Sequence, residues 1–159
     1  MTDHDYVVGK AYRRWAISYD WDWVVTLTFP PEREFDRRSR NVKFRVRRIL
    51  FDWLRIVQTG GHLQVGAFYA ICFKYDFPHV QLLMVGRGNK GRVKLSSLDT
   101  QKYKNAWPWA AKVERPDSNA AVSKYFASHT LRKQCRYYSI GKYNTKLLKK
   151  LRVFPLQRL

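Results

Sequence analysis

A histidine and a glutamine separated by one residue, His79 and Gln81, begin an apolar segment that continues to Val85. In a β-strand, side chains two residues apart point to the same face of the sheet, so these two polar groups project together. Imidazole nitrogens and amide oxygens are both ligands for divalent metal ions. The pair therefore predicts a two-ligand metal platform, with a strand-end histidine beside a turn as the alternative interpretation.

A tyrosine with a neighbouring cation, Lys124 followed by Tyr125, lies in a segment predicted as a helix over 118–133. Together with the metal platform and the basic character of the chain, this tyrosine favours chemistry on nucleic acid. Tyr125 also lies on the apolar stripe of the predicted helix, so a tyrosine that packs in the core is the alternative.

The chain is strongly basic, with 31 lysines and arginines against 12 aspartates and glutamates and a formal net charge of +19. A field of this sign attracts polyanions, so nucleic acid is the expected partner and an anionic membrane surface comes second. The hydrophobic fraction of 45% and the aromatic fraction of 16% predict a folded chain. No apolar segment approaches the roughly 20 residues of a transmembrane helix.

Two cysteines, Cys72 and Cys135, form neither a disulfide framework nor a zinc-binding pattern. Together with an acidic N-terminus that has no signal-peptide pattern, they predict a reducing, cytoplasmic location.

Arginine dominates the polar side of the most regular amphipathic segment, residues 39–58. The guanidinium group binds phosphate oxygens through two parallel hydrogen bonds, which favours phosphate recognition over a merely solvated surface. The basic, glycine-rich segment 86–91 lacks the Gly-Lys-Ser/Thr ending of a P-loop, so it predicts a hairpin that contacts DNA. The residues predicted to contact nucleic acid are Arg37, Arg38, Arg40, Arg87, Lys90 and Arg92.

The order of the predicted elements indicates an α+β fold with a ferredoxin-like βαββαβ core, in which helices cover one face of an antiparallel sheet and C-terminal helices follow. One domain is expected over residues 1–159, with an N-terminal arm over 1–22, the core over 23–135 and a basic C-terminal extension over 136–159. The predicted strands are 23–29, 65–75, 79–85 and 107–114, and the predicted helices are 39–58, 96–106, 118–133 and 144–152. A site on the open face would combine Thr26 and Thr28 with His79 and Gln81.

Three motifs in this order resemble those of the HUH endonuclease superfamily, which contains the rolling-circle replication initiators (Rep). Val24–Pro30 is similar to the first-strand motif, and Pro78–Leu83 is similar to the His-hydrophobic-His motif in its His-hydrophobic-Gln form. Ser123–His129 is similar to the tyrosine motif. The resemblance covers about residues 23–135.

The resemblance implies a metal-dependent single-strand DNA nickase and strand transferase that initiates rolling-circle replication of a phage, plasmid or mobile element. It implies Mg²⁺ or Mn²⁺ on His79 and Gln81, with Asp76 as a third candidate ligand. Tyr125 would form a 5′-phosphotyrosine and leave a free 3′-OH. The ordinary tyrosine pKa of about 10 means that the metal or a cation must ease deprotonation, and Lys124 and Lys133 are the candidates for that cation. Single-stranded or hairpin DNA is the implied substrate. A host helicase is a further candidate partner, because no helicase domain fits in 159 residues.

The chain departs from the family pattern at two points. The usual acidic ligand on the strand before the histidine motif is missing, since residues 65–74 contain no acidic residue and no histidine. Asp76 and His62 flank these residues and could substitute as the third ligand, although neither is at the usual position. In the Tyr-x-x-Lys-Tyr register, Ala121 would occupy the position of the nucleophile, which predicts a catalytically impaired, DNA-binding relative. Other candidate nucleophiles downstream are Tyr137, Tyr138 and Tyr143.

Two non-catalytic classes of protein remain as alternatives. An RNA-recognition-motif-like module has the same order of elements, but the predicted third strand carries no aromatic side chain on which a base could stack. A small structural or inhibitory protein that neutralises nucleic acid would tolerate the loss of both His79 and Tyr125.

Overall fold

The computed structural model describes residues 19–30, 42–73, 78–88, 93–116 and 137–152. These residues form an α+β fold with five strands and three α-helices, together with one short 3-10 helix at Leu95–Ser97. The strands are β1 (Trp23–Thr28), β2 (Gln64–Phe73), β3 (Pro78–Arg87), β4 (Ala111–Glu114) and β5 (Tyr137–Tyr143). The helices are α1 (Val42–Gly61), α2 (Thr100–Ala106) and α3 (Thr145–Lys150).

All five strands belong to one antiparallel sheet with the order β4-β1-β3-β2-β5. The hairpin of β2 and β3 is the longest pairing and extends from Gln64 opposite Arg87 to Phe73 opposite Pro78. β3 lies between β1 and β2, and all of its residues except Arg87 are buried, on both faces of the sheet. Burial on both faces explains why β3 is apolar nearly throughout.

The predicted strands β1, β2 and β3 are confirmed, while the fourth strand is shorter than predicted. β4 begins at Ala111 and not at Trp107, because residues 107–109 form a bend around Pro108, which has no N–H to donate to a neighbouring strand. β5 was not predicted at all. It pairs with the outer edge of β2 and makes the sheet five strands wide.

The helix predicted over 96–106 begins four residues later, at Thr100. Asp99 caps α2 by accepting a hydrogen bond from the Gln101 backbone N–H at 3.0 Å. Ser97 instead donates its hydroxyl to the Lys94 carbonyl at 2.6 Å inside the 3-10 turn. The predicted C-terminal helix is confirmed as α3, which Asn144 caps through the Leu147 backbone N–H.

One face of the sheet packs against α1 and α2 and forms the main core. Alternate residues of each strand point to this face, among them Val25, Leu82 and Tyr69 in a row across β1, β3 and β2. α1 buries Val46, Leu50, Trp53, Leu54 and Val57 against these residues. The indole N–H of Trp53 donates to the Tyr103 carbonyl at 2.9 Å and so ties α1 to α2.

The opposite face of the sheet receives α3 at one end. A methyl group at Gly66 would meet the side chain of Leu148 at 3.0 Å, so the absent side chain lets this helix approach β2 closely. Asn144 reinforces the contact by donating its side-chain N–H to the Val65 carbonyl at 3.1 Å. Helices therefore lie on both faces of the sheet. None of the helices in the described part of the chain is long and apolar enough to cross a membrane.

Candidate functional site

Four polar side chains lie together on the sheet face that is opposite α1. The antiparallel register places Thr28 directly across from His79 and Thr26 directly across from Gln81. The Thr26 hydroxyl donates to the Gln81 side-chain oxygen at 3.0 Å. The prediction that these two strands are neighbours and share a face is confirmed. We call Thr26, Thr28, His79 and Gln81 the polar platform.

The polar platform is more enclosed than the expected open face. Gln81 is 2% exposed and His79 is 8% exposed, whereas Thr26 and Thr28 are half-buried. Next to Gln81 on the same face lie the buried side chains of Leu83 and Ala70. The expectation of an open surface at the centre of this face was therefore wrong, and the two threonines form its more accessible side.

Gln81 has one amide atom that lacks a partner. Its oxygen accepts from Thr26, while its nitrogen Nε2 is buried and makes no hydrogen bond. The two ends of a carboxamide are assigned from such hydrogen bonds and can be exchanged by a half-turn of the group. In the exchanged orientation Nε2 donates to the Thr26 hydroxyl, and the oxygen takes the unpartnered position, where it can accept a cation.

This arrangement fits a divalent metal ion with His79 and Gln81 as two of its ligands. An oxygen and an imidazole nitrogen on adjacent same-face positions form a donor set that suits Mg²⁺ or Mn²⁺. No group of three or more histidine, cysteine, aspartate or glutamate side chains that could hold a metal occurs within residues 19–30, 42–73, 78–88, 93–116 and 137–152. A complete coordination sphere therefore needs ligands of other kinds, or groups beyond these ranges.

His62, one alternative third ligand, lies far from the polar platform. It follows α1, immediately before the end of β2 that pairs with Arg87, whereas His79 pairs with Cys72 at the other end of β2. The eight steps from Gln64 to Cys72, at about 3.3 Å each, separate the two ends of this strand by about 26 Å. The suggestion that His62 could complete the metal site was therefore wrong.

Arg87, a predicted DNA contact, forms a buried ion pair with Asp22. Its Nη1 donates to the Asp22 carboxylate at 2.5 Å, and the same carboxylate oxygen accepts from the Gly86 backbone N–H at 2.9 Å. The pair joins the start of β1 to the end of β3, eight residues along β3 from His79 and so about 26 Å from it. Asp22 was not recognised from the sequence, because its partner is 65 positions away.

Lys112 is a cation beside the polar platform that sequence reasoning missed. It pairs with Thr26 from the β4 side, so Lys112, Thr26 and Gln81 form a row across three strands of the same face. Its ammonium group lies 3.4 Å from the Glu114 carboxylate, and both side chains are well exposed. An exposed pair of this kind is weak, so Lys112 remains able to bind a phosphate.

Three tyrosines among the described residues, Tyr19, Tyr69 and Tyr143, lack the properties of the nucleophile that the sequence predicts. Burial raises the pKa of Tyr69 and of Tyr19, although Arg47 and Arg87 respectively lower it in part. A raised pKa makes the phenolate harder to form, which disfavours either residue as a nucleophile. Tyr143 packs against Phe51 at a ring distance of 5.1 Å on the α1 side of the sheet, which contradicts its candidacy as nucleophile at the polar platform.

Several predicted site residues lie outside the described residues, so their predictions stay untested. They are Asp76, Lys124, Tyr125, Arg37, Arg38, Arg40, Lys90 and Arg92, together with the alternatives Ala121 and Lys133.

No protein-family profile, curated protein or solved structure matches this chain. The functional conclusion therefore depends on the residues themselves.

Proposed function

We propose that this chain is a Rep-like single-strand DNA nickase and strand transferase that carries a metal ion on His79 and Gln81. The observation that carries the proposal is the polar platform. A histidine and a buried glutamine, whose amide has one unpartnered end, share a sheet face with two threonines. A buried polar group without a partner lowers the stability of the fold. A cation bound to the glutamine amide would offset that loss.

The proposal includes a ferredoxin-like core. In a βαββαβ arrangement, the third strand inserts between the first and second, and the fourth strand pairs with the first. The pairings of β1 to β4 agree with that arrangement, and β5 would be an added strand at the β2 edge. The same arrangement puts the first and third strands side by side, which is where the polar platform lies.

In the proposed mechanism, Tyr125 attacks the phosphorus of the scissile phosphodiester. The phenolic oxygen forms a new bond to phosphorus, the bond to the 3′ oxygen breaks, and that oxygen takes up a proton to become a 3′-OH. The 5′ side of the break stays attached to Tyr125 as a phosphotyrosine. The metal, when bound, would draw charge from the phosphate oxygens.

In this scheme, the other residues of the site hold the reacting groups in position and neutralise negative charge. Thr26 fixes the Gln81 amide through its hydroxyl, so that the amide oxygen can face the cation. Lys124 would stabilise the tyrosine oxyanion, and the exposed ammonium of Lys112, beside Thr26, would bind a neighbouring phosphate. The net charge of +19 supports nucleic acid as the partner.

A second candidate function is nucleic-acid binding without cleavage on the same fold. One observation favours it: Gln81 and His79 are almost fully buried. In this case the platform would be a structural hydrogen-bonded group inside a DNA-binding domain.

A covalent-adduct assay tests the proposal. The full chain is mixed with a diverse pool of single-stranded DNA and Mn²⁺, denatured in detergent and examined for a protein band of increased mass. We expect an adduct with the unmodified chain that is lost in Tyr125→Phe and in His79→Ala. Tyr143→Phe is the matched control, because this tyrosine packs on the other side of the sheet and its variant should still form the adduct.

The outcomes separate the two candidate functions. An adduct that survives Tyr125→Phe would move the nucleophile, with Tyr138, whose register position is in the row of Cys72 and His79, as the next candidate ahead of Tyr137. An adduct that survives His79→Ala would show that His79 is not the proposed metal ligand. Tight, salt-sensitive DNA binding without an adduct on any substrate, a cognate replication origin included, would support the non-catalytic protein. Circular dichroism of His79→Ala checks that this buried substitution leaves the chain folded.

A further inference from the structure

The outward side of α1 presents a row of exposed arginines. Arg45, Arg48 and Arg55 lie on one side of the helix and are all exposed, and Asp52 is the one acidic residue among Val42–Gly61. Asp52 is itself paired with Arg55 at 2.9 Å in an exposed contact. We call these three arginines the arginine face. It carries a clear excess of positive charge on one rigid element.

The orientation of the arginine face is fixed by the packing of α1. The opposite side of the helix buries Val46, Leu50 and Trp53 in the main core, so α1 cannot rotate about its axis without exposing them. The guanidinium groups are therefore presented in advance of any ligand, which lowers the entropy lost on binding.

The arginine face and the polar platform lie on opposite sides of the sheet. α1 covers the face of Leu82, while Gln81 and His79 point to the other face. A strand of DNA that lies across the polar platform cannot contact α1 at the same position. The arginine face would therefore contact a different part of the nucleic acid from the part that is cleaved.

The length of the arginine face matches the regular backbone of a duplex. Arg45 and Arg55 are ten residues apart, which corresponds to about 15 Å along a helix. Duplex DNA carries one phosphate charge per roughly 1.7 Å of its axis, so this distance faces several phosphates on a stiff partner. Two exposed apolar side chains flank the arginines, Phe44 at 65% and Ile56 at 47% exposure, and contact with sugars would cover them.

We propose that the arginine face is a second nucleic-acid contact surface that binds the phosphate backbone of duplex DNA. This inference rests on the proposed function in one respect, namely that the duplex is the arm of a hairpin whose single-stranded part reaches the polar platform. Binding by the arginine face does not require cleavage, so it can be measured whether or not the chain is a nickase.

Duplex affinity as a function of salt tests the inference. Fluorescence anisotropy measures binding of a double-stranded oligonucleotide to Arg45→Gln/Arg48→Gln and to the control Lys102→Gln/Lys104→Gln, whose exposed lysines lie on α2. Both variants lose two charges, and glutamine is a good helix former. We expect the arginine variant to lose at least tenfold in duplex affinity, and its slope of log K against log salt to become shallower by about two. The lysine variant should lose less than threefold.

Each result bears on a separate proposal. Equal losses in the two variants would overturn the inference, because the effect would then follow total charge and not position. A loss that is equally large for a single-stranded oligonucleotide would overturn the assignment to duplex. If the arginine variant forms the covalent adduct on a single strand as the unmodified chain does, the two surfaces act independently. If neither chain forms an adduct, the proposed nickase activity fails while the duplex measurement keeps its meaning.

Discussion

The Gln81 amide lies in a central strand of apolar residues and is almost completely buried. Its partner is a single hydroxyl, that of Thr26, at 3.0 Å. A buried carboxamide with one bond is less stable than either a fully bonded amide or an apolar side chain of the same size. The chain carries this cost in the middle of its sheet, and the cost supports the proposal that Gln81 binds a ligand.

Thr26→Val should destabilise the fold because it removes the one hydrogen bond of the Gln81 side chain while keeping the β-branched shape. We expect a loss of about 1–3 kcal/mol in the free energy of unfolding, measured by urea denaturation. Thr28→Val is the matched control, since Thr28 lies opposite His79 on the same strand and its change should stay within about 0.5 kcal/mol. Equal effects at the two positions would show that the bond to Gln81 contributes nothing.

The double variant Thr26→Val/Gln81→Leu extends this test to function. Replacing both hydrogen-bonding groups by apolar ones should return the free energy of unfolding to within about 1 kcal/mol of the unmodified chain. If Gln81 is a metal ligand, the same variant should form no covalent adduct although it is stable. A stable double variant that still forms the adduct would assign Gln81 a purely structural role.

At the scale of elements, β5 depends on a close approach between a glycine and a tyrosine. A methyl group at Gly141 would collide with the hydroxyl and ring of Tyr69 on the neighbouring strand β2. Tyr69 is buried between the sheet and α1, where it packs against Phe51 at a ring distance of 5.8 Å. The Tyr69 side chain therefore cannot move away from an added methyl group. Gly141 is required for the pairing of β5 with β2.

Gly141→Ala should destabilise the chain by about 1–3 kcal/mol in urea denaturation, because the added methyl overpacks the contact with Tyr69. In a strand without such a contact, alanine would be the better residue, so the sign of the change tests the packing. Gly88→Ala is the control, since its methyl would meet the nearest atom, Val93 Cβ, at 3.3 Å. A neutral or stabilising Gly141→Ala would show that β5 pairs more loosely than the structure has it.

Local patterns predicted the first three strands, α1 and α3, because their apolar spacing and capping residues lie within each element. β5 was missed, since Tyr137–Tyr143 contains glycine, serine and lysine and becomes a strand through its pairing with β2. The neighbourhood of Thr26 and Gln81 followed from the predicted strand order. Their burial did not, because it depends on packing that no short segment encodes. The Asp22 and Arg87 pair is of the same long-range kind.

At the scale of the whole molecule, the formal net charge of +19 opposes folding into a compact domain. Exposed acidic partners on the described elements are few, such as Asp52 for Arg55 and Glu114 for Lys112. Repulsion is therefore spread over the surface and is relieved by counterions or by a polyanionic partner. The repulsion depends on the total charge of the molecule. Duplex binding, in contrast, we assign to one helix.

Salt should consequently stabilise the free protein while it weakens DNA binding. The screening length falls from about 30 Å at 0.01 M to about 8 Å at 0.15 M salt, so repulsion between distant cations decreases. We expect the midpoint of thermal unfolding to rise over this range, by about 2–4 °C for each kcal/mol gained in a chain of this size. A fall in the midpoint would show that attractive pairs outweigh the repulsion.

The variants Arg45→Gln/Arg48→Gln and Lys102→Gln/Lys104→Gln complete the argument, because each lowers the net charge by two. Both should show a smaller gain of stability with salt than the unmodified chain, and the two gains should be alike, since repulsion follows the total charge. Their duplex affinities should differ, since binding follows position. If the two double variants differ in thermal unfolding as they do in binding, the arginines have a structural role in α1. Their effect on binding must then be corrected for that role.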